Sequence, residues 1–324
     1  MKTTLKALSL VVVAMLFILS ACKKDQPNLP DPIAATVTIE SKPISTATNE
    51  ISVKGLISLS DTNSVINRGF CISATPNPTT ASIITKVPGG SGTLATSITG
   101  LMPGTTYYIR AFAVTAAGIA YSDNLKVTTD VVDIDGNIYK TVNIGNSVWL
   151  VQNLKVTHFR NGEPIDYLTR EDDWRYLSGY CDYNFDSLLG DTYGHLYNFA
   201  AISDTRNICP AGWRLPKGDD WREIFWLPGL TNTATGAMKE AGTDHWISPN
   251  VGATNQTGFT GLPAGIRNNL GFYSLGTSTI YWSDPSEIYT TTLLNNVETV
   301  AGTMNGLRDG TGMMGCSVRC VKID

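Results

Sequence analysis

The chain has no long basic stretch and few charged residues overall, which limits its possible partners. It contains 24 lysine and arginine residues against 28 acidic residues, and its net charge is −4. A protein that binds nucleic acid through phosphates needs a basic face, so we expect no nucleic-acid partner. With 42% hydrophobic residues, a chain of 324 residues can form about two domains with buried cores.

The sequence also lacks an apolar run long enough to cross a bilayer, which takes about 20 residues. Residues 7–19 form the longest run near the N-terminus, and it leads into Leu19-Ser20-Ala21-Cys22. A basic start, an apolar run and small residues before a cysteine are typical of a bacterial lipoprotein signal peptide. We therefore expect residues 1–21 to be removed and Cys22 to carry the lipid that attaches the protein to the membrane. Loss of Lys2 and Lys6 would take the net charge from −4 to −6.

Residues 22–32 contain three prolines and no strand or helix periodicity, which predicts a stiff tether. The stretch Lys23-Lys24-Asp25 resembles the export signal of surface lipoproteins of the Bacteroidetes type. We expect an outer-membrane protein, lipid-anchored and exposed at the cell surface. A position facing the periplasm is the alternative.

Residues 33–130 contain no tryptophan or histidine and consist of short alternating runs between turn residues. Runs such as 51–57 and 107–114 have a period of two, which is typical of a β-sandwich. Residues 101–107 resemble the tyrosine-corner segment of fibronectin type III domains, and residues 68–73 resemble fibronectin-like repeats of bacterial surface proteins. The expected fold is an all-β fibronectin- or Ig-like sandwich that acts as a spacer. Cys71 is expected to be a buried free thiol.

The composition changes after residue 130, because all seven tryptophans and all three histidines lie beyond residue 148. Hairpins are expected around Asp135-Gly136 and Gly145-Asn146. The segments 191–202 and 217–227 have helical spacing, and Asp219 is the expected cap of the second helix. The Asp133-x-Asp135-Gly136-Asn137 stretch lacks the glycine and glutamate positions of an EF-hand loop, so we interpret it as a turn.

Several motifs follow one another in residues 131–324. They are 133–154, Tyr193-Gly194-His195-Leu196-Tyr197-Asn198, Cys209-Pro210-Ala211-Gly212-Trp213-Arg214-Leu215-Pro216, Trp221, 252–259, Tyr281-Trp282-Ser283-Asp284 and Ser317-Val318-Arg319-Cys320-Val321. With these motifs in this order, the segment resembles the Fibrobacter succinogenes major paralogous domain, a family of secreted and lipidated surface modules. The resemblance implies an α+β domain similar to the C-type-lectin-like fold, whose loops after about residue 230 would form a binding face. It implies no general reaction.

Four cysteines of this segment are available for pairing, as expected in an oxidising compartment. On an extended strand Cys316 and Cys320 would lie about 13 Å apart, beyond the reach of about 7 Å for the Cα atoms of a disulfide. Each therefore needs another partner. We expect the disulfides Cys209–Cys320 and Cys181–Cys316, although the sequence alone leaves the connectivity open. A four-cysteine zinc site is the alternative, but the paired CxxC spacing is missing.

No catalytic constellation is present in the sequence. His158, His195 and His245 are scattered, and no serine lies in a nucleophile elbow. We therefore expect a protein that is not an enzyme, with no catalytic residue, no cofactor and no metal. The catalytic alternative is an enzyme related to formylglycine-generating enzymes, which share the lectin-like fold and act through cysteines. Disulfides would remove those nucleophiles.

Two groups of aromatic and polar residues are the candidate ligand-binding positions. Aromatic faces can stack on sugar rings, and planar polar groups can hydrogen-bond to hydroxyls. Many lectins bind calcium with a Trp-Asn-Asp motif, and this chain has Trp-Ser-Asp instead, so a calcium mechanism is not expected. The first group is Asp172, Asp173, Trp174, Tyr176 and Tyr180, and the second is Trp282, Asp284, Asn295, Asn296 and Arg308.

The sequence thus predicts a surface lipoprotein with a non-catalytic binding domain farthest from the anchor. Adhesion or binding of a polysaccharide or other glycan is the expected function. The alternative is a structural or assembly component that docks another envelope protein.

Overall fold

The structure, a computed structural model, describes residues 34–43, 45–59, 65–229, 234–286, 290–294 and 313–323. The predicted signal peptide, Cys22 and the tether lie outside the described residues. In the part of the chain that is described, no helix is both long enough and apolar enough to span a bilayer.

The N-terminal part of the chain consists of strands joined by short turns. The strands are β1 (Thr36–Ile39), β2 (Ser45–Thr46), β3 (Glu50–Ser58), β4 (Asn67–Ser73), β5 (Ile83–Lys86), β6 (Gly92–Thr99), β7 (Thr106–Thr115), β8 (Gly118–Tyr121) and β9 (Leu125–Thr128). One sheet has the order β1-β3-β2 with β6 paired to β3, and the other has the order β5-β4-β7-β8 with β9 paired to β7.

These two sheets pack face to face as a β-sandwich, as the alternating sequence predicts. Ile51 and Val53 of β3 are fully buried, while the residues between and beside them are less buried. Phe70 of β4 and Ile109 of β7 face them from the second sheet within one apolar cluster. Alternation with a period of two therefore places one side of each strand in the core.

Two of the recognised sequence features have defined structural roles in the sandwich. The hydroxyl of Tyr107 accepts a hydrogen bond from the backbone N–H of Met102 at 3.1 Å, which is the bond expected of a tyrosine corner. Arg68 is buried, and its guanidinium donates to the backbone oxygens of Pro88 at 2.7 Å and Gly90 at 2.8 Å. Cys71 is buried with a free thiol, as expected.

The C-terminal part of the chain mixes short strands with five short helices in the described residues. The helices are α1 (Glu171–Tyr176), α2 (Ser187–Tyr193), α3 (Phe199–Ile202), α4 (Gly218–Phe225) and α5 (Ala234–Met238). The strands are β10 (Val131–Val132), β11 (Ile138–Tyr139), β12 (Thr141–Ile144), β13 (Ser147–Leu150), β14 (Asp166–Tyr167), β15 (Gly179–Cys181), β16 (Leu196–Asn198), β17 (Trp213–Arg214), β18 (Ala264–Asn268), β19 (Gly271–Leu275), β20 (Ser278–Trp282), β21 (Thr290–Leu294), β22 (Gly315–Cys316) and β23 (Val321–Lys322).

Three sheets organise this part of the chain. The largest has the order β14-β15-β16-β22-β18-β20-β21 with β19 paired to β18, a second has the order β12-β13-β23-β17, and the third is the two-stranded sheet β10-β11. The hairpins β10-β11 and β12-β13 close at the two predicted turns. Trp149 pairs with Val321, so the beginning and the end of the segment lie side by side in one sheet.

The predicted turn at Asp133 is confirmed by its hydrogen bonds. One carboxylate oxygen of Asp133 accepts from the backbone N–H groups of Asp135 and Asn137, each at 2.9 Å. The other accepts from the hydroxyl of Tyr139 at 2.7 Å. The carboxylate therefore closes a turn, which is the common role of an Asp in this position.

The single helix predicted for residues 191–202 is wrong. Helix α2 ends before Gly194, which has a φ of 80° and cannot continue it. Residues 196–198 then form β16, a wholly buried strand between β15 and β22. Pairing on both sides with strands distant in sequence outweighs the local helical spacing of this segment.

The second predicted helix is confirmed as α4, but its predicted cap is not. Trp221 and Ile224 are buried on one face of this helix. The N-cap is Lys217, and the carboxylate of Asp220 accepts from its backbone N–H at 2.6 Å. Asp219 is exposed and pairs with Arg222 instead. Asp220, at the third position of the helix, completes the turn, and Asp219, at the second position, does not.

One of the two expected disulfides is present in the structure. Cys209 and Cys320 are bonded, with their Cα atoms 6.0 Å apart. Cys181 and Cys316 are both free and buried, so the expected second disulfide is not formed. Strand β16 lies between them, and two strand spacings exceed the reach of a disulfide.

The two free thiols also face opposite sides of this sheet. Cys316 pairs with Tyr197, which pairs with Tyr180 on the next strand. Cys181 is adjacent to Tyr180, and successive side chains of a strand point to opposite faces. Accordingly, Cys316 packs in the main apolar cluster and Cys181 in a separate one with Trp174 and Leu196.

Candidate functional site

Four residues of the first predicted ligand group lie on α1 and Tyr180 lies on β15, and the structure divides the four into exposed and buried residues. Asp172 is exposed, Asp173 is half-buried and Tyr176 is 74% exposed. Trp174 is only 1% exposed. Its Nε1 donates to the backbone oxygen of Met313 at 3.1 Å, so Trp174 is a core residue and the prediction that it stacks on a ligand is wrong.

The second predicted group is also divided. Trp282 is 3% exposed and donates from Nε1 to the backbone oxygen of Tyr197 at 2.7 Å, so its predicted ligand role is wrong for the same reason. Asp284 is half-buried, and its carboxylate accepts from the backbone N–H of Ser286 at 2.9 Å. Asn295, Asn296 and Arg308 lie outside the described residues.

Asn198 and Phe199 bring the two predicted groups close together. The amide nitrogen of Asn198 donates to the backbone oxygens of Trp174 at 2.9 Å and Leu177 at 2.7 Å. The ring of Phe199, 37% exposed, lies 6.0 Å from that of Trp282. Tyr176 and Phe199 are therefore exposed in this region, whereas Trp174 and Trp282 are buried.

A different set of side chains converges at the β14 edge of the large sheet. Tyr167 and Tyr180 are register partners on β14 and β15, and their rings meet edge-on with centroids 5.3 Å apart. The ring of His195 lies 4.6 Å from that of Tyr180 on the other side. We call Tyr167, Tyr180, Asp182 and His195 the Tyr180 cluster.

Asp182 fixes the orientation of His195 in this cluster. The Nδ1 atom of His195 lies 2.7 Å from a carboxylate oxygen of Asp182, and the side chains are 14% and 7% exposed. An Nδ1–H that donates to a carboxylate leaves Nε2 free to accept a hydrogen bond in the neutral imidazole. No described residue hydrogen-bonds to that Nε2 atom, so an external hydroxyl can be its partner.

Gly190 of α2 makes this pairing possible. A Cβ atom at residue 190 would fall 1.9 Å from the paired carboxylate oxygen of Asp182 and 3.2 Å from Nδ1 of His195. Any larger residue would displace the carboxylate. The glycine is therefore required by the packing of the Asp182–His195 pair rather than by backbone conformation.

A second histidine–carboxylate pair lies beside the Tyr180 cluster. His158 Nδ1 is 2.5 Å from a carboxylate oxygen of Asp135, whose other oxygen accepts from the backbone N–H of Thr157 at 2.5 Å. Burial alone would raise the pKa of Asp135, but these hydrogen bonds from Thr157 and His158 lower it below its usual value. The carboxylate of Asp135 therefore stays ionised.

The electrostatic surroundings keep the two tyrosines protonated. Burial and, to a smaller extent, the nearby carboxylate of Asp182 together raise the pKa of Tyr167 to about 12. Burial also raises the pKa of Tyr180, with contributions from Asp182 and Asp135. Both phenols are therefore hydrogen-bond donors at neutral pH, next to two carboxylates that accept.

Two arrangements with known chemistry, a metal site and a catalytic triad, are not found among the described residues of the cluster. In the described ranges, no group of three or more His, Cys, Asp or Glu side chains could hold a metal ion. A hydroxyl or thiol bonded to Nε2 of His195, as in a catalytic triad, is not found among the described residues. The arrangement offers a partly exposed aromatic surface beside oriented donors and acceptors.

Sequence reasoning found only Tyr180 of this cluster. Asp182 and His195 are separated by 13 residues, and the segment that holds His195 was predicted as a helix. The signal that could have found them is the pairing of strands β15 and β16, which places residue 182 beside residue 195. The exposure of Tyr167 depends on its position on β14, at the edge of the sheet.

Comparison with known families identifies the C-terminal part of the chain. Residues 142–322, more than half of the chain, match the profile of the Fibrobacter succinogenes major domain. The protein belongs to this family. No curated protein matches the chain at a significant level.

Solved structures with local similarity add little to this family assignment. One is the chicken CNTN1 FN1–FN3 domains, with 22% identity over 30% of this chain and 31% of that chain, at a TM-score of 0.21. Another is the sensor domain of the anti-sigma factor RsgI4 of Pseudobacteroides cellulosolvens, with 14% identity over 29% of this chain and 93% of that chain, at a TM-score of 0.23. With TM-scores this low, we infer nothing further from them.

The motifs that identify the Fibrobacter succinogenes major domain mostly lie in its core. Arg319 is fully buried, and so are Trp149, Phe259 and Tyr281. The rings of Phe259 and Tyr281 pack edge-on at 5.5 Å, and the guanidinium of Arg319 lies 4.2 Å from the ring of Phe259. These motifs specify packing, which is why family membership indicates the fold and not the ligand.

Proposed function

We propose that this protein is a lipid-anchored surface protein whose C-terminal domain is a non-catalytic, glycan-binding module of lectin-like α+β fold. The observation that carries the proposal is the Tyr180 cluster. It combines a tyrosine that is 42% exposed, Tyr167, with a second aromatic ring and the oriented Asp182–His195 pair. The β-sandwich is a spacer in this proposal, and the lipid on Cys22 is the anchor.

The residue types of the cluster suit a sugar ligand. A pyranose ring has an apolar face that packs on an aromatic ring and hydroxyls that both donate and accept. Tyr167 and Tyr180 supply ring surface and phenolic donors. The carboxylates of Asp182 and Asp135 and the Nε2 atom of His195 supply acceptors that the fold holds in place.

A non-catalytic role is favoured by the state of the free thiols. Burial raises the pKa of the Cys181 thiol to about 12 and raises that of Cys316 as well. A thiol acts as a nucleophile in its ionised form, which burial disfavours at both positions. Cys209 is held in the disulfide with Cys320. The thiols that a relative of formylglycine-generating enzymes would use are thus unreactive in this arrangement.

The test is binding to an oligosaccharide array by the full chain in a non-ionic detergent, with and without calcium. Sugars that bind are then titrated calorimetrically against Tyr167→Ala and Tyr180→Ala. Each substitution removes ring surface, and we expect the affinity to fall by about tenfold. Tyr273→Ala is the matched control, because Tyr273 is 39% exposed in the same domain and lies outside the cluster.

Two results would count against the glycan proposal. One is an array on which the folded chain binds nothing in either condition. The other is a loss of affinity in Tyr273→Ala as large as that in Tyr167→Ala. Retained binding in the control with loss in both cluster variants would support it.

The second candidate, docking of an envelope protein, is favoured by the exposed apolar side chains beside α1. Tyr176, Leu177 and Phe199 are 74%, 45% and 37% exposed. A stoichiometric envelope partner that is lost in Tyr176→Ser, together with an empty array, would support this candidate over glycan binding.

A further inference from the structure

A cleft lies where the β-sandwich meets the C-terminal domain. Its volume is about 540 Å³, and it is lined by residues 41–43 and Thr46, by residues 126–128 of β9 and by residues 140–143 at the start of β12. Both parts of the chain therefore contribute its walls. It is separate from the Tyr180 cluster, since no residue of that cluster lines it.

Hydrogen bonds between the two parts of the chain fix these walls. Lys140 Nζ donates to the carboxylate of Asp130 at 2.6 Å and to the backbone oxygen of Thr46 at 2.8 Å. The hydroxyl of Thr141 donates to the backbone oxygen of Thr128 at 2.8 Å. The side chain of Asn143 donates to the backbone oxygen of Lys126 at 3.2 Å. The cleft is thus preformed, which lowers the entropic cost of binding.

The charge of the lining is positive although the chain as a whole is acidic. Lys42, Lys126 and Lys140 line the cleft, and no lining residue is an Asp or Glu. The buried carboxylate of Asp130 neutralises Lys140. Across the described ranges of the chain, neither Lys42 nor Lys126 forms an ion pair. Two ammonium groups in one concave site concentrate positive potential there.

Lys322 adds to this positive potential from the C-terminal domain. Its Nζ atom donates to the backbone oxygen of Gly104 at 2.5 Å and to the hydroxyl of Thr106 at 3.1 Å, and both are uncharged. Burial lowers the pKa of Lys322, and the positive charge of Lys126 lowers it further. Lys126 therefore lies close enough to Lys322 for the two positive charges to interact.

We propose that this cleft binds a tetrahedral oxyanion, phosphate or sulfate, held by the ammonium groups of Lys42 and Lys126. Ammonium groups are suited to such an anion because they donate charge-assisted hydrogen bonds without demanding one geometry. The volume leaves room for a sugar that carries the anion. The anion can be free or attached to a saccharide, and the experiment distinguishes the two.

The experiment is calorimetric titration of the full chain in a non-ionic detergent with inorganic phosphate, inorganic sulfate, glucose 6-phosphate and glucose. The doubly substituted Lys42→Gln, Lys126→Gln chain loses both ammonium groups and keeps similar side-chain lengths. We expect its affinity for the anionic probes to be at least about tenfold lower. Lys86→Gln is the matched control, because Lys86 is exposed on β5 and does not line the cleft.

Affinity that is retained in Lys86→Gln and falls with rising salt would support the proposal. Tighter binding of glucose 6-phosphate than of phosphate would identify a phosphorylated saccharide as the source, and equal binding would identify the free ion. The proposal is overturned if no anionic probe binds, if glucose binds as well as glucose 6-phosphate, or if the double variant binds as tightly as the unmodified chain. Equal thermal unfolding of the variants would confirm that they fold.

Discussion

The guanidinium group of Arg319 is buried in the C-terminal domain and donates to the side-chain oxygen of Asn153 from Nε at 3.1 Å and from Nη2 at 2.6 Å. Its Nη1 atom donates to the backbone oxygens of Leu150 at 3.1 Å and Phe259 at 2.6 Å. Within the described residues no carboxylate is paired with it. The buried guanidinium of Arg319, near the end of the domain, is therefore hydrogen-bonded to uncharged acceptors that include Leu150 and Asn153 near its beginning.

Arg319→Met should destabilise the C-terminal domain strongly. It leaves the acceptors of Asn153, Leu150 and Phe259 without a donor in the core, and we expect the free energy of unfolding to fall by about 3 kcal/mol or more. Chemical denaturation followed by tryptophan fluorescence measures this domain alone, because all seven tryptophans lie beyond residue 148.

Arg206→Met is the control for this measurement. Arg206 is 36% exposed and pairs with Glu163 and Asp204 near the surface, where solvent screens the ion pairs, so its loss should cost much less than the loss of Arg319. Equal denaturation midpoints for the two variants would show that the Arg319 hydrogen bonds do not stabilise the fold.

The free thiols can be counted chemically. In a Cys22→Ser chain that is denatured without reductant, three thiols should react, those of Cys71, Cys181 and Cys316. In the folded chain their reaction should be slow, because burial raises the pKa of each thiol. If only one thiol reacted after denaturation, Cys181 and Cys316 would be joined in a disulfide.

Removal of the Cys209–Cys320 disulfide should be costly. The bond joins residues 111 apart, and the chain-entropy treatment gives a loss of about 4–5 kcal/mol for a loop of this length. The doubly substituted Cys209→Ala, Cys320→Ala chain should therefore denature at a much lower midpoint. Cys71→Ala, which removes a thiol of the other domain, should leave the tryptophan-monitored transition unchanged.

The sequence predicts those features whose signals are local. The sandwich strands alternate over their own length, the β12-β13 hairpin has its turn residues between its strands, and the tyrosine corner is contained within residues 102–107. Each can be inferred without knowledge of the rest of the chain, since its hydrogen bonds close within it or with a neighbouring strand.

Features that depend on distant pairing could not be predicted in the same way. Whether Trp174 is a ligand surface or a core residue depends on the backbone of Met313, 139 residues away. Strand β16 resembles a helix in isolation and becomes a strand because β15 and β22 pair with it. The Asp182–His195 pair follows from the same pairing, so the candidate site could be found only once the sheet was known.

Tyr167 should titrate well above the ordinary value for a tyrosine. Burial and Asp182 raise its pKa from 10.0 to about 12. The folded chain therefore keeps this proton where the unfolded chain loses it. The stabilisation that results is fully present below the pKa of this tyrosine in the unfolded chain. It is lost as the pH rises through about 12, the pKa of Tyr167 in the folded chain. Nuclear magnetic resonance of labelled tyrosine, assigned with Tyr167→Phe, measures the pKa directly.

A pair of substitutions separates the causes of this shift. Asp182→Asn removes the negative charge and should lower the pKa of Tyr167 part of the way towards 10, with the contribution of burial left. Asp166→Asn changes an exposed neighbour in sequence and should leave the pKa where it is. An unchanged pKa in Asp182→Asn would show that the two side chains do not interact.

Asn198 should be the most sensitive polar residue near α1, because its amide makes four hydrogen bonds while fully buried. Its oxygen accepts from the backbone N–H groups of Gly179 at 3.1 Å and Ala201 at 2.9 Å, while its nitrogen donates to two carbonyls at the end of α1. Asn198→Ala leaves all four backbone groups unpaired, and we expect a loss of about 3 kcal/mol or more that does not depend on pH.

Asn198→Asp should behave differently because it places a second oxygen against the two α1 carbonyls. Burial and these acceptors disfavour the ionised carboxyl and raise its pKa in the folded state. The loss in the free energy of unfolding should thus be greatest at neutral pH. It should become smaller as the pH falls and the carboxyl is protonated. Tryptophan-monitored denaturation at neutral and mildly acidic pH tests this, with the exposed Asn161→Asp as control. A deficit in Asn198→Asp that does not change with pH would mean that the Asn198 nitrogen does not face the carbonyls of Trp174 and Leu177.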